Sequence, residues 1–381
     1  MAASIELDAD SLERILQLVS DSGLLRATHT ARQIDRSWRQ AVDARTHRLR
    51  EATTSARPAD LAALFKQTPN LQFLDIGYSS ISPAACLQLP QLSLRELHMA
   101  DCGRLTSSDL SCLRHLIHLQ ILKLSNVRTT ASTVLQACAH LLRLRTLELR
   151  DFKAIDEKLF AKLTPLTELK TLALVAEEGT NATLRSLSMH LLPSCASNLT
   201  SLELGKLEST YPLAALRELA QLQVLCLSNC KLFLKPDSTG HDLLAEIAHL
   251  TQLTSLSLQQ FATQSIHSSQ MLQDMRQLKG LRSLHVQQGK ARGFIEGLTA
   301  LTGLVELVLL DPLTEIQSRH VLKEILLGLF HLTHLQLSAT GNVLVEGFRL
   351  FRHLPFLQKL KFEGVDVVVL QCDGDKVTLS S

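Results

Sequence analysis

A six-residue apolar pattern, L-x-x-L-x-L, recurs along most of the chain, with Ile, Val, Met or Phe replacing some of its last leucines. Successive copies start 23 to 31 residues apart. The twelve copies begin at Leu71, Leu94, Leu119, Leu144, Leu169, Leu199, Leu222, Leu253, Leu281, Leu304, Leu332 and Leu357. In each copy the fourth and sixth residues alternate with the third, fifth and seventh, which is the period of a β-strand. The pattern therefore predicts twelve short strands, each with one apolar side.

The segments between these strands predict helices. After Cys102, for example, Leu105, Leu110, Leu113 and Leu116 are spaced to line one helix face. A strand, a helix and a return to the next parallel strand cannot bury its apolar side alone, so neighbouring units must stack. We therefore expect an α/β solenoid of about twelve repeats, with a curved parallel β-sheet inside and helices outside.

Two cysteines follow the predicted strands at the same place. Cys102 lies three residues after Met99 and precedes Leu105-Thr106, and Cys230 lies three residues after Leu227. This arrangement resembles the cysteine-containing class of leucine-rich repeats over about residues 70 to 366. The resemblance implies the solenoid fold and a protein-binding surface, and it does not specify a ligand.

The first fifty residues do not follow the repeat and show apolar residues at helical spacing. Leu24-Leu25-Arg26 is followed by Ile34-Asp35-Arg36-Ser37-Trp38-Arg39. This order resembles the F-box, a three-helix module that precedes leucine-rich repeats in a family of ubiquitin-ligase receptors. Asp8 and Asp35 replace the Pro and Cys of the family pattern, and the distance from Leu25 to Ile34 is one helical turn longer.

The F-box resemblance implies that an apolar face of this unit docks a Skp-type adaptor, which joins the receptor to a cullin. The residues that would form this face are Leu7, Leu12, Ile15, Leu16, Leu24, Leu25, Ile34 and Trp38. We therefore expect an F-box-like helical unit over 1–50, a connector or cap over 51–70, the solenoid over 71–366 and a capping hairpin over 367–381.

Composition and charge exclude several classes of protein. The 39 Lys and Arg nearly balance the 37 Asp and Glu, giving a net charge of +2, which argues against nucleic-acid binding. The acidic start, with Glu6 and Asp8, does not match a signal peptide, and we expect no membrane partner. The eight scattered cysteines then indicate reduced thiols in the cytoplasm, the nucleus or both.

No motif for catalysis, phosphate binding or a cofactor occurs in the sequence, so we expect neither an enzyme nor a cofactor or metal site. His115 and His118 alternate with leucines on one helix and are better explained by an exposed surface than by a metal. The pair Cys226 and Cys230 points to opposite sides of the sheet. Asn181 and Asn198 begin glycosylation-type triplets, which would matter only in a secreted protein.

The third, fifth and seventh residues of the strands are left to bind a partner. The fifth and seventh residues that we expect to contact a protein target are Asp75, His98, Lys123, Glu148, Arg150, Val175, Gln259, His285, Gln287, Leu310, Gln336 and Lys361. Two apolar spots in these rows, Ala173 with Val175 and Val308 with Leu310, are candidates for an anchor.

The hypothesis that unites these observations is the target receptor of an SCF-type cullin–RING ubiquitin ligase. Two alternatives stay open. The chain is an interaction scaffold without a ligase link, its first helices serving only as a cap, or it is a secreted recognition protein.

Overall fold

The computed structural model of the chain describes residues 47–50, 65–66, 68–76, 86–100, 105–126, 129–152, 162–176, 198–206, 208–209, 214–232, 243–259, 262–263, 276–287, 298, 300–310, 327–337, 354–362, 369–373 and 376–380. The eight residues expected to dock the adaptor lie outside this described part, as do Cys102 and Asn181.

The chain divides into two compact units. The first holds residues 1–169 and 177–180, and the second holds 170–176 and 181–381. Among the described residues, the first unit contains five parallel strands, paired in chain order. They are β1 (Arg48–Arg50), β2 (Phe73–Ile76), β3 (Glu96–Met99), β4 (Ile121–Ser125) and β5 (Thr146–Phe152).

The second unit contains eight described parallel strands, paired in the order β6-β7-β9-β11-β13-β14-β15-β16, and five further strands. The bounds of all are β6 (Thr171–Ala176), β7 (Ser201–Gly205), β8 (Glu208–Ser209), β9 (Val224–Ser228), β10 (Lys231–Leu232), β11 (Ser255–Gln259), β12 (Ala262–Thr263), β13 (Ser283–Gln287), β14 (Glu306–Leu310), β15 (His334–Leu337), β16 (Lys359–Phe362), β17 (Val369–Asp373) and β18 (Lys376–Ser380).

All twelve predicted strands are present, which confirms the period-two interpretation of the leucine pattern. The fourth residue of each copy, such as Leu97 or Leu256, is fully buried. The copies pair without slippage: Leu97 lies opposite Leu122, and Leu256 lies opposite Leu284. Each unit therefore buries continuous columns of aliphatic side chains on one side of its sheet, and leaves the other side to the third, fifth and seventh residues.

The second residue of each copy connects neighbouring repeats through its backbone carbonyl. The Gln72 carbonyl accepts from the backbone N–H groups of Arg95 and Glu96, at 2.7 and 3.0 Å. In the second unit the Thr254 carbonyl accepts from Arg282 and Ser283, at 2.8 and 3.0 Å. One carbonyl thus satisfies two donors of the next repeat just before its strand begins, which holds the register of the stack.

A further leucine, three residues before most copies, completes the core. Leu141 precedes Leu144, and the Leu144 N–H donates to the Leu141 carbonyl at 2.9 Å. The same turn occurs at Leu250 and Leu253. These earlier leucines are fully buried. The repeat is therefore longer than the six-residue pattern, and the added turn brings the chain into each strand.

In the described part of the chain, the segments between the strands contain both α-helices and 3-10 helices. The described α-helices are α1 (Ser107–Leu110), α2 (Ala131–Cys138) and α3 (Leu243–Ala248), and the 3-10 helices are Leu89–Gln91, Ser111–His115 and Ala214–Glu218. At α1, a capping box pairs Thr106 with Asp109 and fixes the start. The helix then tightens to 3-10 because Leu113, Leu116 and Leu119 must all turn into the core within a few residues.

One strand and one small sheet were not predicted from the pattern. The strand is β1, in which Leu49 is the one apolar residue; it lies opposite Leu74 and is buried. The second, small parallel sheet, β8-β10-β12, consists of two-residue strands that are too short for a period to appear. The tail, for which the sequence predicts a capping hairpin over 367–381, forms the antiparallel pair β17–β18, and β17 packs against β16.

The eighth residue of several copies adopts the left-handed backbone conformation. Asn126, Asp151 and Asn229 have φ of 50°, 56° and 50°, and Lys206 has φ of 59°. Asn and Asp tolerate this conformation better than residues with longer side chains. The Asn229 N–H donates to the Gln259 carbonyl at 2.7 Å, so the turn also joins neighbouring repeats.

We expect Leu141→Ala to lower the free energy of unfolding by about 2–5 kcal/mol, because it leaves a cavity in a fully buried column. The matched control is Leu142→Ala at the adjacent residue, which is 58% exposed and should change the value by less than about 0.5 kcal/mol. Urea unfolding followed by circular dichroism measures both. Equal effects of the two changes would contradict the assigned core.

We expect Lys206→Asn to raise the free energy of unfolding by about 0.5–1 kcal/mol, because Asn accepts the left-handed conformation at lower cost. Asn229→Ala should lower it by a similar amount for the opposite reason. The same unfolding measurement applies, and a loss of stability in Lys206→Asn would argue against this backbone assignment.

Candidate functional site

The residues predicted to bind a partner all lie on the side of the strands opposite the buried leucines. Each of the twelve is partly exposed, neither buried in the core nor fully in solvent. Five of them lie on neighbouring strands of the first unit and come together: Asp75, His98, Lys123, Glu148 and Arg150. The other seven lie on the second unit, on β6, β11, β13, β14, β15 and β16.

An ion-pair network joins three of these five residues. The Lys123 ammonium lies 2.8 Å from one oxygen of Glu148, and the Arg150 Nε lies 3.7 Å from the other. Strand register produces this arrangement, because Lys123 is aligned with Glu148 on the next strand and Arg150 is two residues further along. Glu148 is therefore held between two cations.

His98 lies beside this network on β3. Its Nδ1 is 4.0 Å from Asp75, and its ring makes an edge-on contact with Phe73 at 5.3 Å. Burial lowers the pKa of His98 below its ordinary value of 6.5. The Asp75 carboxylate raises this pKa, whereas the Lys123 ammonium lowers it further. The ring is therefore neutral at pH 7, and its buried Nε2 has no hydrogen-bond partner among the described residues.

These five side chains line a shallow hollow of about 130 Å³ on the open face of the first unit. Met99, Ala100, Leu124 and Ser125 also contribute to its walls. A hollow of this size accepts one side chain of a partner and is far smaller than a typical cofactor site. The cluster contains both charge signs, so it favours a polar protein contact over a strongly acidic or basic ligand.

The open face of the second unit has a different character. The fifth and seventh residues of its four central strands are uncharged: Cys226 and Ser228, Ser257 and Gln259, His285 and Gln287, Val308 and Leu310. The Gln259 amide nitrogen donates to the Ser257 hydroxyl at 3.1 Å and lies 3.5 Å from His285 Nδ1. Burial lowers the pKa of His285, despite the opposing charge of Glu306.

Of the two predicted apolar spots, the one formed by Ala173 and Val175 is less exposed than the sequence predicts. Ala173 is 2% exposed and is unable to contact a partner. Val175 remains partly exposed and packs over Gly205, where an added Cβ would lie 2.7 Å from Val175 Cγ1. Val308 and Leu310 are both partly exposed, as predicted. The apolar contact surface is therefore centred on β14.

The cysteine and histidine pairs lie apart from one another or in solvent. Cys226 is partly exposed, whereas Cys230 is buried, so the two do not face one another. His115 and His118 are both exposed. No group of three or more His, Cys, Asp or Glu side chains that could hold a metal occurs in the described part of the chain. Within that same part, no helix is both long and apolar enough to cross a membrane.

Sequence reasoning missed two surface features. Arg48 on β1 lies over the Phe73 ring, 4.5 Å from its centre, and extends the charged face beyond Asp75. In the second unit, the exposed rings of Phe330 and Phe356 lie on either side of His331, at 4.5 and 6.3 Å. Phe356 lies one residue before a copy of the pattern and Phe330 lies two residues before one, so an aromatic just ahead of a copy was the available signal.

No protein-family model matches the sequence, and a comparison with curated proteins finds no match. Solved structures do resemble the chain. A leucine-rich-repeat protein of Leptospira interrogans is 20% identical, with a TM-score of 0.49, over 85% of this chain and 74% of that one. An internalin of Listeria monocytogenes is 15% identical, with a TM-score of 0.40, over 94% and 96%.

A plant peptide hormone receptor, RGFR1, solved in complex with RGF2, is 14% identical, with a TM-score of 0.38, over 77% of this chain and 48% of that one. By its description the Leptospira structure is a leucine-rich-repeat protein, and the plant structure is a receptor. The repeat fold of this chain is established independently by its own strand register and its columns of buried leucine.

We expect the free energy of unfolding to fall as the pH drops below about 6.5, because His98 and His285 have lower pKa values when folded than when unfolded. The unfolded chain then binds more protons than the folded chain, so acid favours unfolding. His98→Gln with His285→Gln should make the decline between pH 7 and pH 5 shallower, as measured by urea unfolding. An unchanged decline would contradict the assigned shifts.

Proposed function

We propose that this leucine-rich-repeat protein-binding scaffold is the target-recognition receptor of an SCF-type cullin–RING ubiquitin ligase. Residues 1–50 bind a Skp-type adaptor, which connects the chain to the cullin, and the open faces of the strands bind a protein target. The observation that carries the binding role is the set of partly exposed side chains held at fixed positions by the paired strands.

The open faces suit a protein partner more than a small molecule. The hollow in the first unit is shallow, and the polar and apolar side chains of the second unit extend over several strands. Protein interfaces combine such a polar surround with a few apolar or aromatic anchors. Leu310 and Val308 supply the anchor, and Lys123, Glu148 and Arg150 supply a separate polar contact.

The ligase link is supported by the order of elements in the sequence. An F-box-like segment with Leu24-Leu25-Arg26 and Trp38-Arg39 precedes the repeats, as in the receptor family. The resemblance of the repeats to the cysteine-containing class is supported at Cys230. Its buried thiol donates to the carbonyls of Ser228 and Leu204, at 3.5 and 3.6 Å.

The proposed mechanism is proximity. The receptor holds a target near a separate conjugating enzyme and so raises the effective concentration of the target's lysines at the reactive site. No residue of this chain makes or breaks a bond in that scheme. No disulfide joins two cysteines of the part of the chain that the structure describes, and this fits the proposed receptor in the cytoplasm or nucleus.

A secreted recognition protein is the second candidate, and one observation favours it. Asn198 is exposed just before β7 and begins an Asn-Leu-Thr triplet. A glycan on Asn198 of protein isolated from cells, detected by mass spectrometry, would favour secretion and contradict the ligase proposal. An unmodified Asn198 is the result that we expect.

We expect the full chain to bind a purified Skp-type adaptor and Leu16→Asp to abolish the binding, because a charge would interrupt the apolar docking face. The matched control is Gln17→Asp, which adds the same charge at the adjacent polar position and should retain binding. Isothermal titration calorimetry measures all three proteins.

Circular dichroism of the three proteins should be the same, because both variants change one residue of the first fifty and leave the buried leucines of the repeats unaltered. No binding by the unaltered chain would overturn the ligase link and leave an interaction scaffold whose first fifty residues only cap the repeats. Equal loss in both variants would show that the charge itself, and not the predicted face, prevents docking.

A further inference from the structure

We propose that the edge of the first unit at which β3, β4 and β5 begin binds an acidic segment of a partner protein that also carries an aliphatic side chain. This strand-entry edge consists of the segments 89–95, 113–120 and 140–145. It lies at the ends of the strands and not on their open faces. The inference therefore adds a second contact surface to the proposed function and does not depend on the ligase link.

Unmatched positive charge on this edge supplies the first argument. The three segments contain four arginines and no acidic residue. Arg95, Arg114 and Arg143 are exposed, and none of the three forms an ion pair with a residue in the described part of the chain. Arg145 does form one, with Glu168 of the following turn, at 3.3 Å. The edge thus binds the carboxylate that the chain places beside it, and its other arginines can bind carboxylates of a partner.

An exposed apolar pair between these arginines supplies the second argument. Ile117 and Leu142 are 56% and 58% exposed. Each lies two residues before its copy of the leucine pattern, and neighbouring repeats are about 4.8 Å apart, so the two side chains belong to one apolar spot. Protein interfaces place such apolar contacts within a polar rim and are enriched in arginine. The bound segment therefore combines an aliphatic side chain with acidic ones.

A cavity beside Ile117 supplies the third argument. Its volume is about 220 Å³, and it lies between the segments 89–95 and 113–120. None of the described residues that line it is acidic, and two are histidines, His115 and His118. The Arg114 Nε donates to His115 Nε2 at 3.0 Å, so the imidazole carries its proton on Nδ1. The cavity therefore presents hydrogen-bond donors and is large enough for one acidic side chain.

The second unit shows that the turn itself does not require this charge. The segments 219–223, 250–254 and 301–305 lead into β9, β11 and β14 and contain no charged residue. They form the same turn, in which the N–H of the first leucine of the copy donates to the carbonyl three residues earlier. The arginines of the first unit are therefore unnecessary for the fold of the turn, and an acidic segment is attracted to this unit by charge.

The test uses the full chain and a displayed library of random twelve-residue peptides as the probe. We expect the selected peptides to be rich in Asp and Glu and to carry an aliphatic residue among them. A synthetic copy of a selected peptide should bind about tenfold more weakly to Leu142→Asp and to the double variant Arg95→Gln with Arg143→Gln. A second copy, with Asn and Gln in place of its acids, should bind the unaltered chain about tenfold more weakly. Fluorescence anisotropy measures each affinity.

The matched controls lie in the second unit. Leu327→Asp adds the same charge at an aliphatic residue that is 54% exposed, and Lys359→Gln removes an exposed cation. Both should bind the peptide as the unaltered chain does. Circular dichroism should be the same for all variants. If Leu142→Asp were to lose its fold, the double arginine variant would still decide the result, because it changes only exposed side chains.

Selection of uncharged or basic peptides, equal binding by all variants or failure to select any peptide would overturn the inference. Binding of the chain to phosphatidylserine vesicles that Leu142→Asp abolishes would also overturn it, because the edge would then contact a membrane. A dimer that Leu142→Asp separates would do the same, since the edge would bind a second copy. Selected acidic peptides without adaptor binding would sustain this inference and reject the ligase link.

Discussion

The fold depends on the in-register stacking of parallel strands, in which no repeat can bury its own leucines. Each strand aligns its fourth residue with that of the next, and the preceding carbonyl accepts two backbone N–H groups from the neighbouring repeat. A shift by one residue would move every leucine to the solvent side. The register is therefore fixed jointly by the buried leucines and by the backbone hydrogen bonds.

Since the buried leucines and the backbone hydrogen bonds fix the register, the residues on the other side of the strands can differ from repeat to repeat. Because the leucines and the backbone carry the stability, the third, fifth and seventh residues can change without loss of the fold. The first unit uses them for the Lys123, Glu148 and Arg150 network beside a neutral His98. The second unit uses them for an uncharged surface around His285 and Leu310. The same strand arrangement thus presents a charged surface in the first unit and an uncharged surface in the second.

The sequence predicted the strands well because their signal is periodic and repeated. It missed β1, where Leu49 is the single apolar residue, and it did not include in the repeat the leucine that lies three residues before most copies, such as Leu141. The sequence did not distinguish α-helix from 3-10 helix after Cys102, because leucines that turn into the core through 3-10 geometry have nearly the spacing of an α-helix.

The candidate surface was predictable in part. Strand alternation placed all twelve predicted residues on the open side, but it did not indicate which of them touch. The ion pair of Glu148 with Lys123 and the contact of His285 with Gln259 depend on the register between neighbouring strands. The residues of each pair are 25 or more positions apart in the chain. We expected Ala173 to be exposed because strand alternation gives the side of the sheet to which a side chain points. Alternation does not give how far neighbouring side chains cover it, and Ala173 is buried.

The most direct measurement is a quantitative comparison of the proteins that co-purify from cells with the full chain and with Leu310→Asp. The account predicts equal recovery of the Skp-type adaptor and the cullin with both, and the loss of at least one other protein from the variant. Absence of the adaptor and the cullin from the unaltered chain, or an identical set of proteins with both, would contradict it.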